Sequence, residues 1–231
     1  MIEWLGAEAY AALALSLKVS FWATVASLPP GIWVAYVLAR KSFPGRQLLN
    51  GLVLLPLILP PVVTGYVLLL ALGPRAPLGA FLAQFGIVFA FRWTGAALAA
   101  AIMAFPLLVR AIRLSIEAVD PGLEQAARTL GANRLWTFGT VTLPLILPGI
   151  LTGAVLAFAK AMGEFGATIT FVANIPGETR TLPTAIYTFL QVPGGEGAAL
   201  KLVAVSVAVS MGAVLVSEWI SARVAKRVAG R

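Results

Sequence analysis

Residues 120–144 read DPGLEQAARTLGANRLWTFGTVTLP. Asp120 is a residue of the N-cap type, Pro121 suits the first helical position because its φ is preset and its N–H is absent, and Gly131 is a natural stop. Between them Leu123, Ala126, Ala127 and Leu130 recur at i, i+3, i+4 and i+7, so the spacing predicts a helix with one apolar face built of small side chains. Such a helix either wedges into a groove of another protein or lies on a membrane surface, helped by Arg128 and Arg134. Pattern alone leaves both readings open.

Outward from this stretch the chain turns greasy on both sides. Of its 231 residues 60% are apolar and 11% charged, and the mean hydropathy is +0.93, which places it among membrane proteins. Ala11–Ala39 is apolar except for Lys18 and scattered Ser and Thr; its 29 residues, at about 1.5 Å each, exceed the roughly 30 Å hydrocarbon core. It is too long for a signal-peptide core and lacks a basic stretch before it, Glu3 and Glu8 standing there instead, so it is expected to be retained. Pro29-Pro30-Gly31 is expected to interrupt this helix near its middle. Leu48–Leu72, Thr94–Val109, Thr140–Ala159 and Leu202–Ser217 are four further runs able to span with their flanks.

The expected fold is therefore an all-α polytopic membrane protein, one domain over residues 1–231, with five spans at about 11–39, 48–72, 81–112, 141–161 and 199–220. Leu78–Phe91 is read as the outer part of a long third helix, Arg92 turning to protein or water, with a short interfacial piece as the alternative. Phe165–Val172 is too short to cross. With the loop Asn174–Arg180 and the amphipathic stretch Thr181–Val192 it forms an outer lip, or a partly re-entrant segment, over 165–195.

Basic residues set the orientation. Of the 17 Lys and Arg, 11 follow span one (Arg40, Lys41, Arg46), lie in the 114–139 loop or just before it (Arg110, Arg113, Arg128, Arg134), or form the tail (Arg223, Lys226, Arg227, Arg231). Six remain for the other side: Lys18, Arg75, Arg92, Lys160, Arg180 and Lys201. The N-terminus is thus expected outside and the C-terminus inside.

What is missing narrows the function. His and Cys are absent, which removes the usual haem, iron-sulfur and zinc ligands and any Ser-His or Cys-His pair. No phosphate-cradling G-x-x-x-x-G-K-[ST] sequence occurs, so ATP, if used, is hydrolysed elsewhere. The spans hold no acidic residue of the kind proton-coupled carriers use; Glu164, at the outer end of span four, is placed to pair with Lys160 at i, i+4. Pro56, Pro60 and Pro61 prevent regular backbone bonding within span two. With Thr64 they are the candidates for a bend that either lines a path and acts as a hinge, or is a static kink. Leu143–Pro148 echoes Leu55–Pro60, an echo better read as shared lipid composition than as an internal repeat.

The residues also resemble a known family. Gln125-Ala126-Ala127, then Gly131 after three residues and Val141-Thr142-Leu143-Pro144 after nine more, is similar to the EAA loop of bacterial ABC importer permeases. The resemblance implies a type I importer permease whose loop is the coupling helix, so Glu124, Gln125, Ala126, Ala127 and Gly131 are the expected contacts for a cytoplasmic ATPase. The family's Glu is Gln125 here, and Glu124 lies about 100° around the helix from it. Gly163-Glu164-Phe165-Gly166-Ala167-Thr168-Ile169 and the following run to Pro183, with Ser42-Phe43-Pro44-Gly45 and Glu218-Trp219-Ile220-Ser221, resemble the permease subunits of molybdate and tungstate importers.

That likeness implies a bacterial inner-membrane homodimer with its path at the subunit interface. It implies two ATP-binding cassette subunits, which would hold the ATP and Mg, a periplasmic molybdate-binding protein, a lipid surround, no nucleic acid, and neither cofactor nor metal on this chain. Sulfate and thiosulfate permeases share part of the motif and are the alternative; a proton-coupled carrier or a membrane-embedded enzyme is the reading from another class. The lip carries Glu164, Thr168, Thr170 and Arg180; the hydroxyls of Thr168, Thr170, Thr179 and Thr181, the amides of Gly166 and Gly177 and the Arg180 guanidinium are candidates to greet a dianion, to dock the binding protein, or simply to build turns.

Overall fold

Apolar runs that lack water to bond their backbone must satisfy it internally, and every regular element among the described residues is a helix. The computed structural model describes residues 6–228; Glu3 and Arg231 lie outside it, as do the side chains of Lys226 and Arg227. In chain order the helices are α1 (Ala7–Arg40), α2 (Arg46–Ile58), α3 (Pro61–Leu72), α4 (Pro77–Ala83), α5 (Trp93–Ala118), α6 (Pro121–Thr129), α7 (Arg134–Thr137), α8 (Leu143–Met162), α9 (Gly166–Val172), α10 (Leu182–Leu190) and α11 (Glu196–Val228). A π-helical turn, Phe138–Thr142, joins α7 to α8.

Four continuous helical stretches, α1, α5, α7 through α8, and α11, are long and apolar enough to cross a membrane, and α2 with α3 makes a fifth if that bent pair is one span. The two halves of that pair pack at different levels of the bundle. At one end of the molecule Val53 of α2 joins Val34, Leu38, Leu108, Ile112 and Ile146 in a buried cluster. At the other end Leu68, Leu69 and Leu72 of α3 pack on a second cluster built from Val19, Ala23, Ala96, Ala100 and Phe171. The pair therefore touches both clusters, one half on each side of its 111° bend.

α1, α5 and α8 pack on one another as the central layer, and Gly31 and Gly153 bring their backbones close. α11 starts beside α10, where Ala185 and Leu202 join Ala9 and Ala12 of α1 in a third cluster, and then runs along α8.

Several sequence expectations change at this level. Pro29 and Pro30 do not interrupt α1, which is helical throughout. Leu78–Phe91 does not extend the third helix: α4 ends at Ala83, Gly86 (φ +73°) and Phe91 (φ +61°) turn the chain, and Arg92 becomes the extended N-cap of α5. Positive φ at these positions cannot continue a right-handed helix. The 114–139 loop is mostly helix, because α5 runs on to Ala118 and the fourth span begins at Arg134, where Asn133 accepts a hydrogen bond from the Trp136 N–H at 2.8 Å. The fifth span is likewise longer than the Leu202–Ser217 core.

Candidate functional site

α6 forms as its sequence directs. The Asp120 carboxylate accepts the Gly122 N–H at 2.8 Å, Pro121 opens the helix, and Gly131 at φ +92° closes it, the Ala132 N–H reaching back to the Ala127 carbonyl. Glu124, grouped with the outward contacts on sequence, turns the other way. It is 7% exposed, accepts the Thr142 hydroxyl at 2.9 Å, and lies 3.4 Å from the Arg40 Nε. Arg40 also donates to the Val119 carbonyl at 2.8 Å, which closes the junction between α5 and α6. Thr142 belongs to the π turn, where the Leu143 N–H bonds the Phe138 carbonyl five residues back. Glu124 thus ties α6 to α1 and to the start of α8, and removing either partner of a charge pair buried this deeply costs about 3–5 kcal/mol. Spacing within α6 cannot reveal this link, because both partners come from other elements.

With Glu124 turned inward, the remaining faces of α6 are left open. Gln125 and Ala126 are exposed, Ala127 is half-buried, and Leu123 and Leu130 are 49% and 89% exposed. Leu135 and Trp136 extend the same apolar exposure onto α7. Among the described residues nothing covers these side chains, although a polar-faced surface helix normally buries its apolar stripe.

The second region is the break in span two. α2 and α3 meet at 111°, with Leu59 in extended conformation (φ −70°, ψ 145°) and Pro60 leading into Pro61 at the start of α3. Pro56 stays inside α2. Thr64 is 8% exposed and its hydroxyl has no hydrogen-bond partner among the described residues. The break is held by α9: a Cβ on Gly65 would collide with the Ala167 carbonyl oxygen, and one on Gly166 would lie 2.7 Å from the Pro61 Cβ. The structure therefore brings the proline group and the start of the lip together, two sets that the sequence treats separately.

Glu164 sits at that junction. It is 2% exposed, bonds Lys160 at 2.9 Å as the i, i+4 spacing requires, and accepts the Ala167 N–H at 3.0 Å, so it holds the first turn of α9. The lip hydroxyls are spent locally. Thr168 donates to the Phe165 carbonyl, Thr170 to the Gly166 carbonyl and Thr179 to the Ala173 carbonyl, while Thr181 lies 3.4 Å from the Thr184 hydroxyl. Arg180 stands apart from this group: it donates to Asn174 and reaches Glu8 of α1 at 3.4 Å. The geometry of these threonines is that of turn building. Among the described residues no group of acidic side chains could hold a metal.

Comparison with known proteins adds three findings. The model of the family described as binding-protein-dependent transport system inner membrane component matches residues 27–229. Relatives named molybdenum transport system permease protein are 59% identical in Escherichia coli (strain K12), over 95% of this chain and 96% of the relative, and 53% identical in Haemophilus influenzae, over 94% and 95%. A sulfate transport system permease protein of Salmonella typhimurium is 38% identical over 80% of this chain and 66% of its own length. Among solved structures, a bacterial ABC transporter involved in the import of the polysaccharide alginate superposes with a TM-score of 0.75 at 19% identity, covering 94% of this chain and 80% of that one, which establishes a shared fold.

Proposed function

Because the chain belongs to the family of binding-protein-dependent transport system inner membrane components, we propose that it is the membrane-spanning subunit of an ATP-driven molybdate importer in the bacterial inner membrane. The cargo assignment rests on the relatives of 53–59% identity over almost the whole chain, against a sulfate permease at 38% over a shorter stretch. The chain is a conduit without an ATPase site of its own.

The observation that carries the mechanism is the division of α6 into an anchored face and a bare one. Leu123, Ala126 and Leu130 are offered to a cytoplasmic ATP-binding subunit, while Glu124 fastens the helix to α1 through Arg40 and to α8 through Thr142. Closure of two such subunits on ATP would push α6, and the push reaches α5, α8 and α1 as one rigid layer. The end bearing α6 is cytoplasmic, and the end bearing α9 and α10 faces the periplasm and the molybdate-binding protein. Two copies enclose the path. The exposed apolar flank of α2 and α3, including Leu52, Ile58, Val62, Tyr66 and Leu70, suits burial against a second copy across the break at Pro60.

Labelled molybdate uptake in cells lacking their own systems, with and without the binding protein and with sulfate as competitor, tests the cargo; uptake that sulfate suppresses as well as molybdate does would assign the chain to the sulfate class. Gly131→Pro tests the coupling, since φ +92° is closed to proline. The variant should insert normally while ATPase activity no longer follows uptake; intact coupling would refute the role of α6. A cysteine at Ala126 should crosslink to the ATP-binding subunit in intact cells.

A further inference from the structure

At the end of the molecule that bears α6, a cavity of about 940 Å³ opens between the last turns of α1 and the α6–α7 segment. One wall is cationic: Arg40, Lys41, Arg128 and Arg134 line it, against the single carboxylate of Glu124. Glu124 is already engaged by Arg40 and Thr142, and among the described residues Lys41, Arg128 and Arg134 have no ion-pair or hydrogen-bond partner. The Arg40 Nε–H is buried and makes no hydrogen bond among the described residues, although it lies 3.4 Å from the Glu124 carboxylate. The other wall is aromatic and apolar, formed by Trp33, Tyr36, Leu135 and Phe138, with Tyr36 and Phe138 edge to face at 5.3 Å.

The two walls continue into one stripe. Trp22, Val25, Pro29, Trp33, Tyr36 and Arg40 follow at i+3 and i+4 along one side of α1, and from Trp22 to Trp33 that side is exposed. A long apolar strip ending in aromatic residues and then in cations is the pattern of a helix face that carries an acyl chain along its length and a headgroup at its foot. From this we propose that the cavity holds the phosphate headgroup of an anionic phospholipid of the inner leaflet, seated between α1 and the coupling helix.

This rests on the membrane orientation given under the proposed function but not on the cargo. A free tetrahedral oxyanion shares the phosphate chemistry, yet it would gain nothing from the apolar wall or from the strip above it. A second copy of the chain is a poor occupant, since a protein with 17 basic and 9 acidic residues has little to offer a cationic cavity. Bound there, the headgroup would bridge Lys41 on the span side to Arg128 and Arg134 on the coupling side and stiffen the joint through which α6 acts.

The test uses the full-length chain in phosphatidylcholine bilayers with trace spin-labelled phosphatidylglycerol or phosphatidylcholine of matched chains. The expected result is a motionally restricted fraction several-fold richer in phosphatidylglycerol. Each cation near an anionic headgroup is worth about fivefold, so Lys41→Gln alone should remove most of a several-fold preference, and Lys41→Gln with Arg134→Gln should abolish it, leaving the two labels equally restricted. Arg75→Gln with Arg92→Gln, the same charge loss at the opposite end, should leave it unchanged. An unaltered preference in the Lys41 and Arg134 variants overturns the proposal. So does displacement of the label by millimolar phosphate or molybdate with no lipid preference, which would make this a free-anion site, and so does loss of the preference when the ATP-binding subunit is bound, which would give the cavity to that subunit. The readout involves no uptake, so its failure is distinct from failure of the transport assignment.

Discussion

The tripeptide Leu-Pro-Pro occurs twice in this chain, at residues 28–30 and 59–61, with opposite results. In α1 the helix passes through Pro29 and Pro30 without a break; in span two the backbone leaves the helix at Leu59 and turns by 111°. Local chemistry is the same in both: each proline removes a backbone donor, crowds the preceding turn, and pushes the residue before it toward extended conformation. What differs is the company. Ser27, Gly31, Val34, Ala35 and Leu38 are buried on both sides of the first pair, against α5 and α8, so the two halves share partners that run straight past the prolines. The halves of span two share α5 only at its two ends, Val53 of α2 in the cluster near α6, while α3 is held mainly by the short α9 through Thr64 and Gly65. A proline pair is overruled where long neighbours pack closely along both flanks, and obeyed where one half is held mainly by a separate short helix. Pro148 in α8 follows the first pattern, with Gly149 and Gly153 packed on α5 beside it.

The strongest attempt to break this comparison is Gly65→Val. The collision is with backbone of Ala167, which cannot swing aside, so α3 should lift from α9; overpacking of this kind costs about 1–3 kcal/mol. A fall of several degrees in the unfolding midpoint and loss of uptake are expected, and an unchanged midpoint would mean that α9 does not hold the break. Next comes Pro60→Ala with Pro61→Ala, which restores the missing donors. Uptake should drop by more than tenfold with normal insertion, and the distance between spin labels at Leu52 and Leu70 should lengthen; a bend that persists would assign it to packing alone. Gly31→Ala is milder, because the nearest atom, the Leu108 Cδ2 at 2.9 Å, ends a side chain that can rotate. A loss of about 1 kcal/mol is expected, relieved when Leu108→Ala is added, as thermal unfolding of the double variant would show. Smallest is Pro29→Ala, on the exposed side of α1, expected to shift stability by no more than about 0.5 kcal/mol and to leave uptake unchanged; a large loss would mean that the proline shapes α1 after all.

The same division explains which parts were readable in advance. Asp120, Pro121 and Gly131 act through bonds to their own neighbours, and Lys160 meets Glu164 one turn away, so spacing alone located α6 and that ion pair. The apolar face of α6 was legible for the same reason. Spacing within α6 says nothing of the inward turn of Glu124, because its partners, Arg40 and Thr142, lie 84 and 18 positions off in sequence. The lip threonines were ambiguous until the fold showed their protons given to carbonyls three, four or six residues away. Leu78–Phe91 looked like a continuing helix because its hydropathy is even, and hydropathy carries no information about the positive φ at Gly86 and Phe91.

By itself the order of residues settled that this chain is helical, membrane-embedded and equipped with a partly apolar helix between two spans, since those properties follow from burial of backbone polar groups and from periods within a single turn or two. Tertiary structure alone decided which proline pair bends, which way Glu124 points, and that the break in span two rests on the start of α9. Each of those outcomes compares a local preference of about one to a few kcal/mol with the packing of helices distant in sequence, and that packing exists only once the bundle has formed.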